Sequence, residues 1–222
     1  HVYRCRRRMI DVSKNKWPKR WITSDWHIGD DRMHLLMRPF MNQTEHMNAI
    51  LNRHNAVVSP EDLVIVVGDA VCKDPNELGF LKFVEKFNGH KILIRGNHDR
   101  NYSDEQLSEY FEWIVSEGDG IEVEVEVGQS TVSCWATHYP SQAREDRFNL
   151  VGHVHSAWKV QLNSLNIGVD CQGNYSPHPL DEFVPFAYRF ICEHADEDIW
   201  AAYNHSNQSF KDVRGKKGSY FS

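Results

Sequence analysis

Three apolar runs of strand length each end on an acidic residue in a polar turn: RWITSD at Asp25, DLVIVVGD at Asp69 and HKILIRGNHD at Asp99. The second is apolar enough to be buried on both faces, which predicts a central strand. Between these runs, apolar residues recur at helical spacing. Met47, Ile50 and Leu51 do so within QTEHMNAILNRHNAV, and Leu78, Leu81 and Val84 within PNELGFLKFVEKFN. The predicted order is strand, helix, strand, helix, strand, which puts successive strand ends on one rim of a sheet.

Beyond Asp99 a third helix is predicted from SDEQLSEYFEWI, where Ser103 and Gln106 have capping-box spacing. The period then changes to two. IEVEVEV, from Ile121 to Val127, reads as a half-solvated strand with its glutamates outside, and a GQ turn leads into a partner, STVSCWATH. RFNLVGHVH and LNIGVD read as two more strands at the same rim. A βαβα progression followed by hairpins suits helices covering two packed sheets.

With 222 residues, 41% hydrophobic and 25% charged, the chain is long enough for one domain with a full core. We divide it into a basic arm at 1–20, a globular domain at 21–192 and a polar tail at 193–222. The net charge of -6 argues against a protein that coats nucleic acid by electrostatics alone. The arm, with Arg4, Arg6, Arg7, Arg8, Lys14, Lys16, Lys19 and Arg20 against Asp11, remains a candidate for weak nucleic-acid contact. Five cysteines without CxxC spacing suit a reducing, cytoplasmic setting better than secretion. No run approaches the roughly 20 apolar residues of a membrane span. The first residue is His rather than Met, which reads as a missing or altered terminus.

The polar groups at the strand ends are Asp25, His27, Asp69, Asn97, His98, Asp99, His138, His153 and His155. Asp25 and His27, like His153 and His155, stand at alternate positions, so in an extended segment each pair points one way. Carboxylate, amide and imidazole donors suit Mn, Fe, Zn, Ni or Mg, and the absence of Cys from these motifs argues against a closed structural zinc site. Seven of them, Asp25, His27, Asp69, Asn97, His138, His153 and His155, suffice for two ions if one carboxylate bridges.

The series D-x-H, G-D, G-N-H-D, H, G-H-x-H resembles the signature of the calcineurin-like metallophosphoesterase superfamily. The resemblance implies an α/β (α+β) fold, a four-layer αββα sandwich of two mixed sheets flanked by helices. It also implies two divalent ions, Mn favoured: Asp25, His27 and His155 on one, Asn97, His138 and His153 on the other, Asp69 between them. A water activated by the ions would attack phosphorus. His98 becomes catalytic, at the phosphoryl group or the leaving oxygen, with Asp99 orienting it and keeping it charged.

RPF at 38–40 resembles small single-domain phosphoesterases of bacteria and phages, in which an imidazole is common where Asp30 stands. Arg38 and Arg100 are candidate phosphate contacts, because guanidinium offers two donors to two oxygens. The expected substrate is a phosphate ester, first a phosphodiester of a nucleotide or similar compact molecule. A phosphomonoesterase is the alternative. Its protein-phosphatase form is disfavoured, since GDAVCKD and GNHD replace that group's G-D-x-x-D-R-G and G-N-H-E. An inactive binding scaffold is a third reading, weakened because no ligand position is lost.

Overall fold

The computed structural model describes residues 10–73 and 79–193. In chain order the elements are β1 (Arg20–Thr23), α1 (Gln43–Asn55), β2 (Leu63–Val66), α2 (Gly79–Phe83), β3 (His90–Ile94), α3 (Asp104–Leu107), β4 (Trp113–Val115), β5 (Gly120–Val127), β6 (Ser130–Thr137), β7 (Phe148–Val151), β8 (Val160–Gln161), β9 (Ser164–Asn166), β10 (His178–Pro179) and α4 (Leu180–Glu193). They build two five-stranded sheets, in the orders β10-β1-β2-β3-β4 and β5-β6-β7-β9-β8. β1 to β4 are parallel, with β10 antiparallel at the edge. In the second sheet β6, β7 and β9 are parallel, while β5 and β8 pair antiparallel. Two mixed sheets with helices form the α/β sandwich that the sequence predicts.

The alternation along each strand explains how the layers stack. Leu63, Ile65 and Val67 face the second sheet and share a core with Val123, Val125, Leu150 and Leu165. Val64 and Val66 face the other way, onto Ile50 of α1 and Leu81 of α2. β2 is therefore buried on both faces, as its unbroken apolar run requires. β5 buries Ile121, Val123 and Val125 and exposes Glu122, Glu124 and Glu126.

The helices differ more from expectation. The buried face of α1 is His46, Ile50 and His54, with Met47 and Leu51 only half-buried. α2 lasts five residues before tightening into a 3-10 turn at Val84–Lys86. Leu78 lies outside the described residues. α3 is a single turn, although its Ser103–Gln106 capping box forms as predicted. The predicted helix stops there because Trp113, Ile114 and Val115, bulky or β-branched, pair with β3 as an edge strand.

No helix was expected where α4 lies. It carries Leu180, Phe183, Val184, Ala187 and Ile191 into the core between the sheets, against β5 and β1. Pro185 interrupts its sequence signal; a helix-interior proline lacks an N–H and ordinarily argues against a helix. Arg20, counted with the basic arm, is buried in β1, its Nε 3.0 Å from Asp181 Oδ2 and its Nη2 2.8 Å from the Glu124 carbonyl. Lys14 pairs with Glu126 at 2.5 Å. Arg4, Arg6, Arg7, Arg8 and the tail from 194 onward lie outside the described residues. Among the described residues no helix is long and apolar enough to cross a membrane.

Two core histidines predict an acid limb of stability. His54 Nε2 lies 2.9 Å from the Asn88 carbonyl, and His178 stacks on Phe183 with ring centroids 4.4 Å apart. Burial pushes their pKa values down to about 4 and about 3. Both lie below the unfolded value of about 6.5, so the unfolded chain takes up the extra protons as pH falls below it. Stability present above about pH 6.5 is then lost, by about 2 kcal/mol per histidine at pH 5. Urea unfolding of His178→Phe, which keeps the stack, is expected to show a loss between pH 7.5 and 5 smaller by about 2 kcal/mol than the parent's. An unchanged loss would remove His178 as a contributor.

Candidate metal centre

The polar residues beyond β1, β2 and β7 do not continue the strands. Asp25, His27, Asp69, His153 and His155 all have positive φ, from 48° to 73°, in the left-handed region where non-glycine residues are strained. The expectation of extended, alternating pairs is thus corrected: Asp25 and His27 converge because each is a left-handed residue in a tight loop. Surrounding bonds hold that geometry. Asp25 N donates to the Gly68 carbonyl at 3.0 Å, and His27 N to the Asp69 carbonyl at 2.9 Å. Glycines allow the loops to close; a Cβ on Gly96 would lie 2.2 Å from Asp69 Oδ1, and one on Gly152 2.0 Å from Ser24 Oγ.

The structure brings the strand-end residues onto one rim. One ligand atom each from Asp25, His27 and His155 lie within 4.8 Å of one another, and so do those of Asp69, His138 and His153. Asp69 Oδ2 joins the groups, 3.6 Å from His27 Nε2 and 3.4 Å from His138 Nε2. His27 Nε2, His138 Nε2 and Asn97 Oδ1 are buried with no hydrogen-bond partner among the described residues. Buried polar atoms are ordinarily satisfied, and three such lone pairs beside the Asp25 and Asp69 carboxylates fit a ligand with positive charge. The donors, all N and O, fit divalent cations.

The imidazoles are aimed by their other nitrogens. His138 Nδ1 lies 2.8 Å from the Val67 carbonyl, His155 Nδ1 2.8 Å from Asp170 Oδ2, and His27 Nδ1 3.1 Å from Asp30 Oδ2. Each contact spends Nδ1 and leaves Nε2 for the rim, the usual outer support of a metal-binding histidine. In the protein alone, burial would lower His138, but Asp69 and Asp25 override it and raise its pKa to about 9. Burial likewise opposes ionisation of Asp25, yet the neighbouring His27, His155 and His138 hold it well below the usual carboxylate range. The carboxylates thus call for positive charge, whether protons or metal.

Asp30, which is buried, and Asp170, whose side chain is 4% exposed, are the supports that the sequence reading did not assign. Asp30 also accepts from Arg32 Nε at 2.9 Å. Asp170 sits between His155 and Arg38, 2.7 Å from Arg38 Nε and 2.8 Å from its Nη2. Replacing Asp170 by Asn is expected to weaken metal binding about 10–100-fold in competition with a chelating dye, whereas an affinity within about twofold of the parent would remove it as a support.

Arg38 is not placed for phosphate. Besides Asp170 it contacts the Trp26 and Asp25 carbonyls and His46 Nε2, so all five N–H donors of its buried guanidinium are engaged beneath the rim. Arg100 is exposed and ion-paired with Glu117. Asp99 also has a different task from the one expected. Its carboxylate accepts from the backbone N–H of Asp69, Ala70, Val71 and Gly96 at 2.8–3.1 Å, stitching the loop after β2 to the loop after β3. Its hydrogen bonds among the described residues go to these four N–H groups and not to the His98 ring. Burial and Asp69 raise its pKa to about 6. The half-buried His98 packs against His27 with centroids 4.6 Å apart, and burial, then the nearby His27, lower its pKa. Asp99 therefore does not keep it charged.

Residues 18–215 match the family model described as calcineurin-like phosphoesterase, reaching into the stretch read from sequence as a tail. An uncharacterized protein of Methanocaldococcus jannaschii is 30% identical over 83 residues, 37% of this chain; the chain spans about half of that curated relative, 47% of its length. The crystal structure of a protein of unknown function from Aquifex aeolicus superposes with a TM-score of 0.52 and 22% identity, over 72% of this chain and 94% of that one, so the two share a fold. A family match that takes in both sheets and every residue of the rim leads to a single assignment: the chain belongs to the calcineurin-like phosphoesterase family.

Proposed function

We propose that the protein is a hydrolase of phosphoesters that works with two divalent ions, Mn favoured, and prefers phosphodiesters of nucleotides or similarly compact substrates. The observation that carries this reading is Asp69 Oδ2, set 3.6 Å and 3.4 Å from the free nitrogens of His27 and His138. Asp25, His27 and His155 would hold one ion, Asn97, His138 and His153 the other, and Asp69 both. When bound, the ions supply water activation and charge neutralisation at the phosphate. His98, beside His27, would hold a phosphoryl oxygen or pass a proton to the leaving oxygen.

The arginines favour diesters over monoesters. Arg32, Arg38 and Arg100 are each paired with a carboxylate, Asp30, Asp170 and Glu117. A monoester dianion asks for more positive charge than a diester monoanion, and these arginines are already committed. Nucleic-acid contact through the basic arm belongs to the same proposal, with salt-dependent binding lost on trimming as its sign.

The test is hydrolysis of bis-p-nitrophenyl phosphate against p-nitrophenyl phosphate by metal-stripped protein, with Mn, Ni, Zn, Fe or Mg restored separately. Metal-dependent turnover, faster on the diester, is expected. Faster monoester cleavage would make the protein a phosphatase, and no turnover with any ion would overturn the hydrolase reading. His98→Ala is expected to retain its metal and lose about 10²–10⁴ in kcat, most with poor leaving groups; an unchanged rate would exclude His98 from the reaction.

A further inference from the structure

Cys72 lies within GDAVCKD but has no part in the centre described above; its thiol packs behind the rim, beside His98 and against the His27 nitrogen that is turned away from Asp69. Its Sγ lies 3.4 Å from His98 Nδ1, 3.6 Å from His27 Nδ1 and 3.6 Å from Asp30 Oδ2. It is buried, and Tyr102 Oη fixes the local backbone by donating to the Cys72 carbonyl at 2.8 Å. His27, Cys72 and His98 each bring a ligand atom within 4.8 Å of the others.

One S–H group donates one hydrogen bond, but here three nitrogen or oxygen atoms surround the sulfur. Their spacing has another meaning. Around a tetrahedral zinc ion, with bonds of about 2.3 Å to sulfur and about 2.0–2.1 Å to nitrogen or oxygen, neighbouring ligand atoms stand about 3.4–3.6 Å apart. The contacts through Sγ have those edge lengths.

We propose that Cys72, His98 and Asp30 form a third metal site, selective for a thiophilic ion such as Zn²⁺, whose occupation holds the His98 ring through Nδ1 and inhibits the enzyme. A thiolate ligand selects against Mn²⁺ and Mg²⁺, so a main centre loaded with Mn²⁺ or Mg²⁺ leaves this site to a softer ion. The thiol releases its proton as the ion binds, and Arg32 Nη2, 2.7 Å from Asp30 Oδ2, shares that oxygen with it. His27 couples the two places. Its Nδ1 is 3.1 Å from Asp30 Oδ2, while its Nε2 faces Asp69. Inhibition rests on the proposed role of His98; ion binding does not.

The experiment titrates Mn-loaded protein with Co²⁺ and, separately, with Zn²⁺. One further equivalent of Co²⁺ is expected to produce a thiolate-to-cobalt charge-transfer band in the near ultraviolet, absent from Cys72→Ser and Cys72→Ala. Zn²⁺ is expected to inhibit diester hydrolysis at a concentration at least about tenfold lower in the parent than in either variant. A band that persists in both variants, or no band at one equivalent in the parent, overturns the site. A Cys72-dependent band with equal zinc inhibition in parent and variants overturns its inhibitory role. If the band behaves as expected but no phosphoester is cleaved under any loading, the metal site stands and the hydrolase reading falls.

Discussion

Asp69→Asn is expected to reduce the ions retained after desalting from the proposed two per chain to fewer than one, and to cut the proposed diester kcat/KM by on the order of 10³-fold or more. The substitution keeps the side-chain shape and removes the charge at the point where the two groups of donors meet, 3.6 Å from His27 Nε2 and 3.4 Å from His138 Nε2. An amide also leaves a single oxygen for two duties, since Asp69 Oδ1 already accepts from His98 N at 2.9 Å. Elemental analysis by mass spectrometry reads the first effect directly. Two ions retained by Asp69→Asn would show that its carboxylate does not join them.

The largest expected effect on stability belongs to Asp99→Ala. Four buried backbone N–H groups lose their acceptor at once, those of Asp69, Ala70, Val71 and Gly96. At about 1–3 kcal/mol for each unsatisfied group, and with partial relief by water, a loss of about 3–6 kcal/mol follows. In a chain of this length that lowers the melting midpoint by about 10–20 °C. Measured with chelator present, the effect is free of metal linkage. A loss below about 1 kcal/mol would mean that the carboxylate is not the clasp between the two loops.

The two substitutions separate what the sequence shows from what only the fold shows. Asp25, His27, Asp69, Asn97, His138, His153 and His155 could be selected because each follows an apolar run, and parallel strands bring such ends together. Their backbone conformation could not be read the same way. A left-handed residue at Asp25 or His27 depends on hydrogen bonds to a distant loop, and spacing alone suggests extended pairs instead. The supporting carboxylates are hidden for a related reason. Asp170 ends the apolar run LNIGVD as the selected residues end theirs, but it reaches Arg38 across 132 residues, and no motif beside it names that partner. Asp99 sits within a legible motif, G-N-H-D, but its burial against four N–H groups gives it a structural task that adjacency to His98 did not suggest.

Among the elements, period-two alternation in β5 and the unbroken apolar run of β2 were enough to predict both strands and the faces they bury. Helix length was less legible, because the edge strand β4 takes residues that also fit a helical pattern. α4 was missed at Pro185, where a local rule against helix is overridden by five side chains packed between the sheets. Tertiary burial decides such segments, and it is not visible in a window of sequence.

The central claim, two ions sharing Asp69, is tested most directly by anomalous scattering from crystals of the Mn-loaded protein. The account predicts two peaks flanking the Asp69 carboxylate, one beside Asp25, His27 and His155, the other beside Asn97, His138 and His153. A single peak, or two peaks with Asp69 bound to neither or only one, would contradict it.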